Sequence, residues 1–315
     1  MGTWKRSLSI ALLALVAVFG VQTTATADES QPPVLYEGES LSEWVPAPQA
    51  LSIPRAFQSG EPVLLAEAEG SSPATEVGGD ESPGLEISVT NDWVSKYMFR
   101  GYDILDDSGA WQPSVDFGLW DTGLHLNWWA SYASHDRGKD LDYHLDRHDL
   151  DEHDYAVYWE GNIAEKVDVE LGYIYYDFIH LDSRSDFMEW YGVFTLSSLP
   201  LSPYFGAYYG HEKHDDTLGE GWNTTLGVSQ SVPLGGLTLC GSDPLSLDLA
   251  ADVWYNGGQY YADTGWSHAT FGGSVTVPLP GKLELTPGVW YQVSMEDDIN
   301  TEDEWWATLS LAYSW

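Results

Sequence analysis

The run HDRGKDLDYHLDRHDLDEHD, residues 135–154, places imidazoles among carboxylates. Such donors suit zinc and similar ions, and His144 and His148 share a face if the segment is helical, with Asp149 and Asp151 close behind. The spacing fits no closed metal motif, so the competing reading is a solvated acidic loop. Weak bridging of calcium or magnesium between these carboxylates and anionic lipid head groups is the more economical expectation. Asp298, Asn300 and Glu302 echo the start of a calcium loop but lack its glycine. No resident cofactor is expected.

Hydrolysis would require a nucleophile or an activated water beside a histidine and an acid. His135-Asp136 and Asp106-Asp107 offer such groups, but no signature links them, and no catalytic residue is assigned; the chain is not read as an enzyme.

Arg100-Gly101 is the most suggestive local pair. Two roles compete for Arg100: a cation set against an acidic wall, sorting solutes by charge, or a structural arginine bonded to loop carboxylates, with Gly101 permitting the turn.

These groups need a scaffold, and its signal is a period of two from Leu85 to the end of the chain. In the first run Leu85, Ile87, Val89, Trp93, Tyr97 and Phe99 share one face, and Glu86, Ser88, Thr90, Asp92, Lys96 and Arg100 the other. Further runs are expected at about 110–119, 123–133, 154–163, 166–177, 187–196, 201–210, 222–232, 245–255, 266–278, 282–294 and 304–315. Most approach the length needed to cross a bilayer obliquely.

The connections alternate in character. One set is brief, such as WDTG and AEK, whereas the other is longer and crowded with acid, such as HEKHDDTLGEG and MEDDINTEDE. A transmembrane antiparallel up-and-down β-barrel of about 12 strands, all-β, has this asymmetry, with short periplasmic turns and long acidic outer loops. A soluble sandwich also alternates, but it gives no reason for the unequal rims.

Parity sends Lys96, Arg100, Asp116, Glu160, Asp168, Glu170, Glu189, Asp248, Asp252 and Glu284 inward. Packed dry, these charges would each cost several kcal/mol unless paired, so a wet lumen is expected. The opposite parity presents Trp128, Trp159, Leu171, Leu249, Val289 and Leu309 to lipid.

Ahead of the barrel, residues 1–27 read as a cleaved secretory signal: Lys5 and Arg6, an apolar run, then Ala25-Thr26-Ala27. The apolar run is short for a membrane anchor. Residues 28–83 are rich in Pro, Glu, Ser and Ala and read as a disordered periplasmic segment, leaving 84–315 as the barrel. The whole chain carries a formal charge of −37, which disfavours nucleic acid as a partner. The single cysteine, Cys240, has no internal partner for a disulfide.

The last strand, ending Tyr313-Ser314-Trp315, resembles the C-terminal signature of bacterial outer-membrane proteins, which implies recognition by the barrel assembly machinery. A second resemblance rests on SKYMFRG (Ser95, Tyr97, Phe99, Arg100, Gly101) and on Gln112 through Ser131. This stretch, residues 86–134, is similar to the first strands of the TorF-type porins of the Gram-negative envelope. The likeness implies a pore-like barrel in the outer membrane and names no solute. Together these readings give a passive diffusion channel for small solutes, its narrow acidic lumen favouring cations or neutral molecules. The alternatives are a non-conducting structural or binding barrel acting through its outer loops, and an outer-membrane hydrolase.

Overall fold

The computed structural model describes residues 84–135, 151–180, 186–212, 219–238 and 244–314. The leader, the segment 28–83, His144, His148, Asp149, Cys240 and Trp315 lie outside them. In chain order the strands are β1 (Leu85–Val94), β2 (Met98–Phe99), β3 (Tyr102–Asp103), β4 (Ala110–Leu119), β5 (Leu124–Ala133), β6 (Glu152–Ile163) and β7 (Val167–Asp177). They continue as β8 (Phe187–Thr195), β9 (Tyr204–Glu212), β10 (Gly221–Thr238), β11 (Pro244–Gly257), β12 (Gly265–Leu279), β13 (Leu283–Ser294) and β14 (Glu304–Ser314).

Twelve of these form a closed barrel, each paired antiparallel with its neighbours, while β2 and β3 form a separate hairpin between β1 and β4. Closure is made by β14 against β1, in register from Ser88↔Ser314 to Val94↔Thr308. No edge strand remains, so every wall strand finds ladder partners on both sides, the condition for a sheet in hydrocarbon. Among the described residues no helix is long and apolar enough to cross a membrane.

Every wall strand turns a large apolar side chain outward. Trp93, Trp111, Leu126, Val157, Leu171, Trp190, Phe205, Leu226, Leu249, Phe271, Val289 and Trp305 are all exposed, one from each of the twelve strands. A continuous apolar belt around a closed barrel is a lipid-facing surface. The rims differ as the sequence pattern predicts. Connections at one rim span 120–123, 164–166, 196–203, 239–243 and 280–282; those at the other span 95–109, 134–151, 178–186, 213–220, 258–264 and 295–303.

Three expectations are corrected. The first strand ends at Val94 rather than Arg100. Alternation persists beyond Val94 because Tyr97 and Phe99 exchange the outer face for a buried one inside the barrel, while Lys96 and Arg100 find carboxylates there. The connection expected at 233–244 shrinks, since β10 and β11 extend to Thr238 and from Pro244 with an irregular register after Pro233.

The third correction concerns the lumen, which is not wet throughout. Toward the short-turn rim its inward side chains meet solvent: Glu86 and Glu284 are exposed and Asp168 half-buried. Toward the long-loop rim it is packed. Trp129, Ile174, Tyr176, Phe178, Phe187, Tyr208, Trp290 and Trp306 are fully buried there or at mid-depth, together with Phe99 of the hairpin. Apolar side chains occupy inward positions at this level because the hairpin supplies a second surface to pack against.

Candidate functional site: a hairpin seated in the lumen

Residues 95–109 leave the wall and fold inward. Ser95 stays tied to β14, its N–H donating to the Ala307 carbonyl at 2.9 Å and its Oγ accepting from the Ala307 N–H at 2.9 Å. The hairpin then closes on itself through the Ile104 N–H and the Tyr97 carbonyl, 2.9 Å apart. Tyr97, Met98, Phe99, Ile104 and Leu105 are buried, in two apolar clusters that include Val94, Ala110, Trp129, Trp290 and Trp306 of the wall.

The turn between β2 and β3 is Arg100-Gly101, both in the left-handed region, at φ 44° and 100°. Glycine is required at 101 on two grounds. Its φ is one that side chains resist, and a Cβ there would lie 2.7 Å from both His268 Nδ1 and Ile299 Cγ2. The Gly101 carbonyl accepts from Gln292 Nε2 at 2.8 Å, which fixes the turn to β13.

At the tip, Arg100 reaches β8. Its Nη1 and Nη2 donate to the two carboxylate oxygens of Glu189, each at 2.5 Å, and the side chains are 1% and 0% exposed. The guanidinium carbon lies 4.4 Å from the ring centre of Tyr208, 4.9 Å from that of Phe99 and 5.7 Å from that of Trp254. Nη1 also approaches Gln259 Oε1 (3.3 Å) and the Tyr260 hydroxyl (3.4 Å). Burial alone would lower the affinity of Arg100 for its proton; the Glu189 charge outweighs it and holds the guanidinium ionised.

A second anchor sits nearer the long-loop rim, where the Lys96 ammonium pairs with Asp107 of the same loop and Glu304 of β14. Burial would depress the Lys96 pKa, but the two carboxylates raise it well above its ordinary value. Asp103 accepts from the Leu105 and Asp107 N–H groups at 3.3 and 2.8 Å.

The remaining inward charges lie on the wall. Asp116 lies 2.8 Å from His125 Nδ1 and accepts from the Tyr158 hydroxyl at 2.7 Å, and Glu160 is 3.3 Å from His125 Nε2. Asp168 accepts from Asn162 at 2.5 Å, Asp248 from Ser246 and Thr276, and Asp252 from Tyr204 at 3.0 Å. Glu170 is buried, and Glu284 stands exposed at the short-turn rim. Of the ten charged residues that parity sends inward, the structure brings Arg100 and Glu189 into direct contact; Lys96 pairs instead with rim carboxylates.

Gln259, Tyr260 and the platform of Tyr208 and Trp254 escape a charge-based reading. Trp254 was legible by parity on β11. Gln259 and Tyr260 lie in the β11–β12 connection, where no periodicity exists. Its one local signal is Asn256, whose Oδ1 accepts from the Gly258 and Gln259 N–H groups at 2.7 and 2.8 Å, a side-chain turn that folds the connection inward.

Of the candidate metal ligands only Asp151 is described; it is buried, and its carboxylate accepts from the Ala133 N–H at 3.3 Å and lies 3.9 Å from His180 Nε2. Two carboxylate groups converge elsewhere, Asp103–Asp107–Glu304 and Asp263–Glu296–Asp298. Lys96 already supplies the cation of the first, through Asp107 and Glu304. Asn300 and Glu302 do not join the second: the Glu302 N–H donates to Asn300 Oδ1 at 3.0 Å. The pair Asp106-Asp107 sits at left-handed φ in the hairpin loop, and His135 is exposed at the end of β5.

No family model matches the chain and no curated protein does. Among solved structures it is similar to the KdgM porin (9% identity, covering 72% of this chain and 99% of that one, TM-score 0.43). It is also similar to the COG4313 outer membrane channel from Pseudomonas putida F1 (10%, 76% and 100%, TM-score 0.44) and to LpxR from Salmonella typhimurium (8%, 72% and 99%, TM-score 0.43). Likenesses this distant carry no argument about activity.

Proposed function

We propose that this protein is an outer-membrane, porin-like channel for small cations or neutral solutes, gated by the hairpin 95–109. The observation that carries the reading is the division of the lumen: a solvated acidic mouth at the short-turn rim, and above it a hairpin that shares no ladder with the wall and is held by side-chain packing and by the Arg100–Glu189 and Lys96–Glu304 pairs. The short turns face the periplasm and the long loops the exterior. Glu86, Asp116, Glu160, Asp168 and Glu284 make the mouth attractive to cations. Withdrawal of the hairpin widens the conduit, since it removes Tyr97, Met98, Phe99, Ile104 and Leu105 from the long-loop half.

The likeness of residues 86–134 to TorF-type porins supports the same reading. So does the alternation of β14 through Tyr313 toward Trp315, which serves as the signal for the assembly machinery. Weak calcium or magnesium bridging by the outer loops to lipid head groups, with Asp151 among the ligands, is part of this proposal. The packed long-loop half favours a second reading, a closed barrel that acts through its loops.

Single-channel recording in planar bilayers under a salt gradient separates the two. The channel reading expects a small conductance with a cation-selective reversal potential, enlarged when residues 96–108 are replaced by a short glycine-serine linker. A barrel that stays silent after that replacement overturns it.

A further inference from the structure

The buried surroundings of Arg100 form a recognition site in their own right. We propose that the lumen contains a binding site for guanidinium groups, that Arg100 is its resident occupant, and that a guanidinium-bearing solute exchanges with Arg100 as the hairpin withdraws. The proposal rests on the gated-channel reading and names its solute class.

Three observations carry it. First, the donors and faces match the chemistry of one ligand class. A carboxylate that accepts a two-pronged fork, beside aromatic rings that cover the flat of the cation, is the arrangement that selects a planar guanidinium. Glu189 provides the carboxylate, Tyr208 and Trp254 provide the wall faces, and Gln259 adds an acceptor.

Second, the wall part of the site is held without the hairpin. Tyr208 and Trp254 stack on each other at 5.4 Å, and each continues into a further ring, Tyr191 at 6.0 Å and His268 at 5.7 Å. Glu189 accepts from the Tyr176 hydroxyl at 3.3 Å, and Gln259 Oε1 accepts from Asn223 while Asn256 holds its backbone. A Cβ at Gly221 would lie 2.6 Å from the Gln259 nitrogen, so the wall is shaped to let this connection in. The platform therefore persists when Arg100 leaves.

Third, the site resists being vacated. Glu189 is fully buried, and departure of Arg100 alone would strand its charge, a strongly unfavourable state. Opening is coupled to the arrival of a replacement cation, which the acidic mouth concentrates.

The test uses the full mature chain in detergent micelles and in planar bilayers. In R100A, guanidinium chloride at concentrations far below denaturing should give a saturable change in Trp fluorescence, with an affinity about tenfold or more above that for tetramethylammonium at matched ionic strength. The R100A conductance should exceed that of the native chain and be blocked by guanidinium, and the response should vanish in R100A/E189Q. Absence of saturable binding in R100A, or an undiminished response in R100A/E189Q, overturns the site.

Folding is checked by the heat-dependent shift in electrophoretic mobility. If R100A does not fold, R100K takes its place, because lysine keeps the charge but not the fork; guanidinium should displace its side chain with the same selectivity over tetramethylammonium, and a failure to compete overturns the site. Saturable binding in micelles without any conductance sinks the channel reading and keeps the site. Conductance without selective binding does the reverse.

Discussion

Glu160 on β6 lies directly across the ladder from Glu170 on β7, both turned into the lumen. Their surroundings differ. The Glu160 side chain is 51% exposed and meets His125, whereas Glu170 is 4% exposed and its Oε1 has no hydrogen-bond partner among the described residues. A buried carboxyl with an unpartnered oxygen costs folding free energy, and a like charge directly across the ladder adds to that cost wherever both groups ionise. Glu170→Gln keeps the shape and removes the ionisable group, so it should raise the unfolding temperature in micelles, most at alkaline pH, whereas the same change at solvated Glu284 should leave it within error. A lower melting temperature for E170Q would show that the carboxylate is held by an interaction the amide cannot make.

Gly101→Ala addresses the seat of the hairpin. The left-handed φ and the close approach of His268 and Ile299 together should cost about 1–3 kcal/mol. The loss should fall on the hairpin rather than the wall, because Gly101 touches β12 and β13 only through this turn. Limited proteolysis within 95–109 should accelerate while the mobility shift of the folded barrel is retained. Equal protection of G101A and the native chain would contradict this placement of the turn.

Asp103 gives the hairpin a pH dependence of defined sign. Burial raises its pKa above the ordinary value of 3.8, against the opposing Asp107 N–H and Lys96. A raised carboxyl pKa means that the folded hairpin binds the proton more tightly than the released one, so its contribution to stability is greatest at acid pH and falls as pH rises through the folded value. Asp103→Asn should therefore flatten the dependence of hairpin protection on pH, from 3.8 upward, measured by hydrogen exchange of the Ile104 and Leu105 amides. An unchanged profile would place the titration on another group.

Much of this architecture was legible in the chain because a barrel wall has the simplest of codes, one side chain to lipid and the next to the lumen. Leu226 and Thr225, or Leu249 and Asp248, declare their faces without any tertiary information. The hairpin was not legible for the same reason. Tyr97, Phe99, Lys96 and Arg100 continue the period of two, and nothing local distinguishes an outward aromatic that meets lipid from one that meets Trp129 inside. The partner of Arg100 was equally hidden: Glu189 is 89 residues away, and their meeting depends on how far the loop descends into the barrel.

The direction in which the apolar belt looks is open to a paired substitution on β10. Leu226 is 53% exposed on the outer surface, and its neighbour Thr225 is 1% exposed in the interior. In lipid, Leu226→Arg places a charge in hydrocarbon at a cost of about 2–4 kcal/mol near the midplane, falling toward the interfaces. If the belt faced water instead, the same change would be nearly neutral and would improve solubility. Refolding into phosphatidylcholine vesicles should therefore show a clear loss of folded yield for L226R. Leu226→Phe, which keeps an apolar group in the same place, should match the native chain. Because Leu226 points to the outer face, where it pairs with Phe205 and Val253, while the Arg100 and Glu189 contacts lie inside, its effect reports on the membrane face. An L226R chain that folds as well in vesicles as the native one would remove the physical basis for placing this barrel in a bilayer.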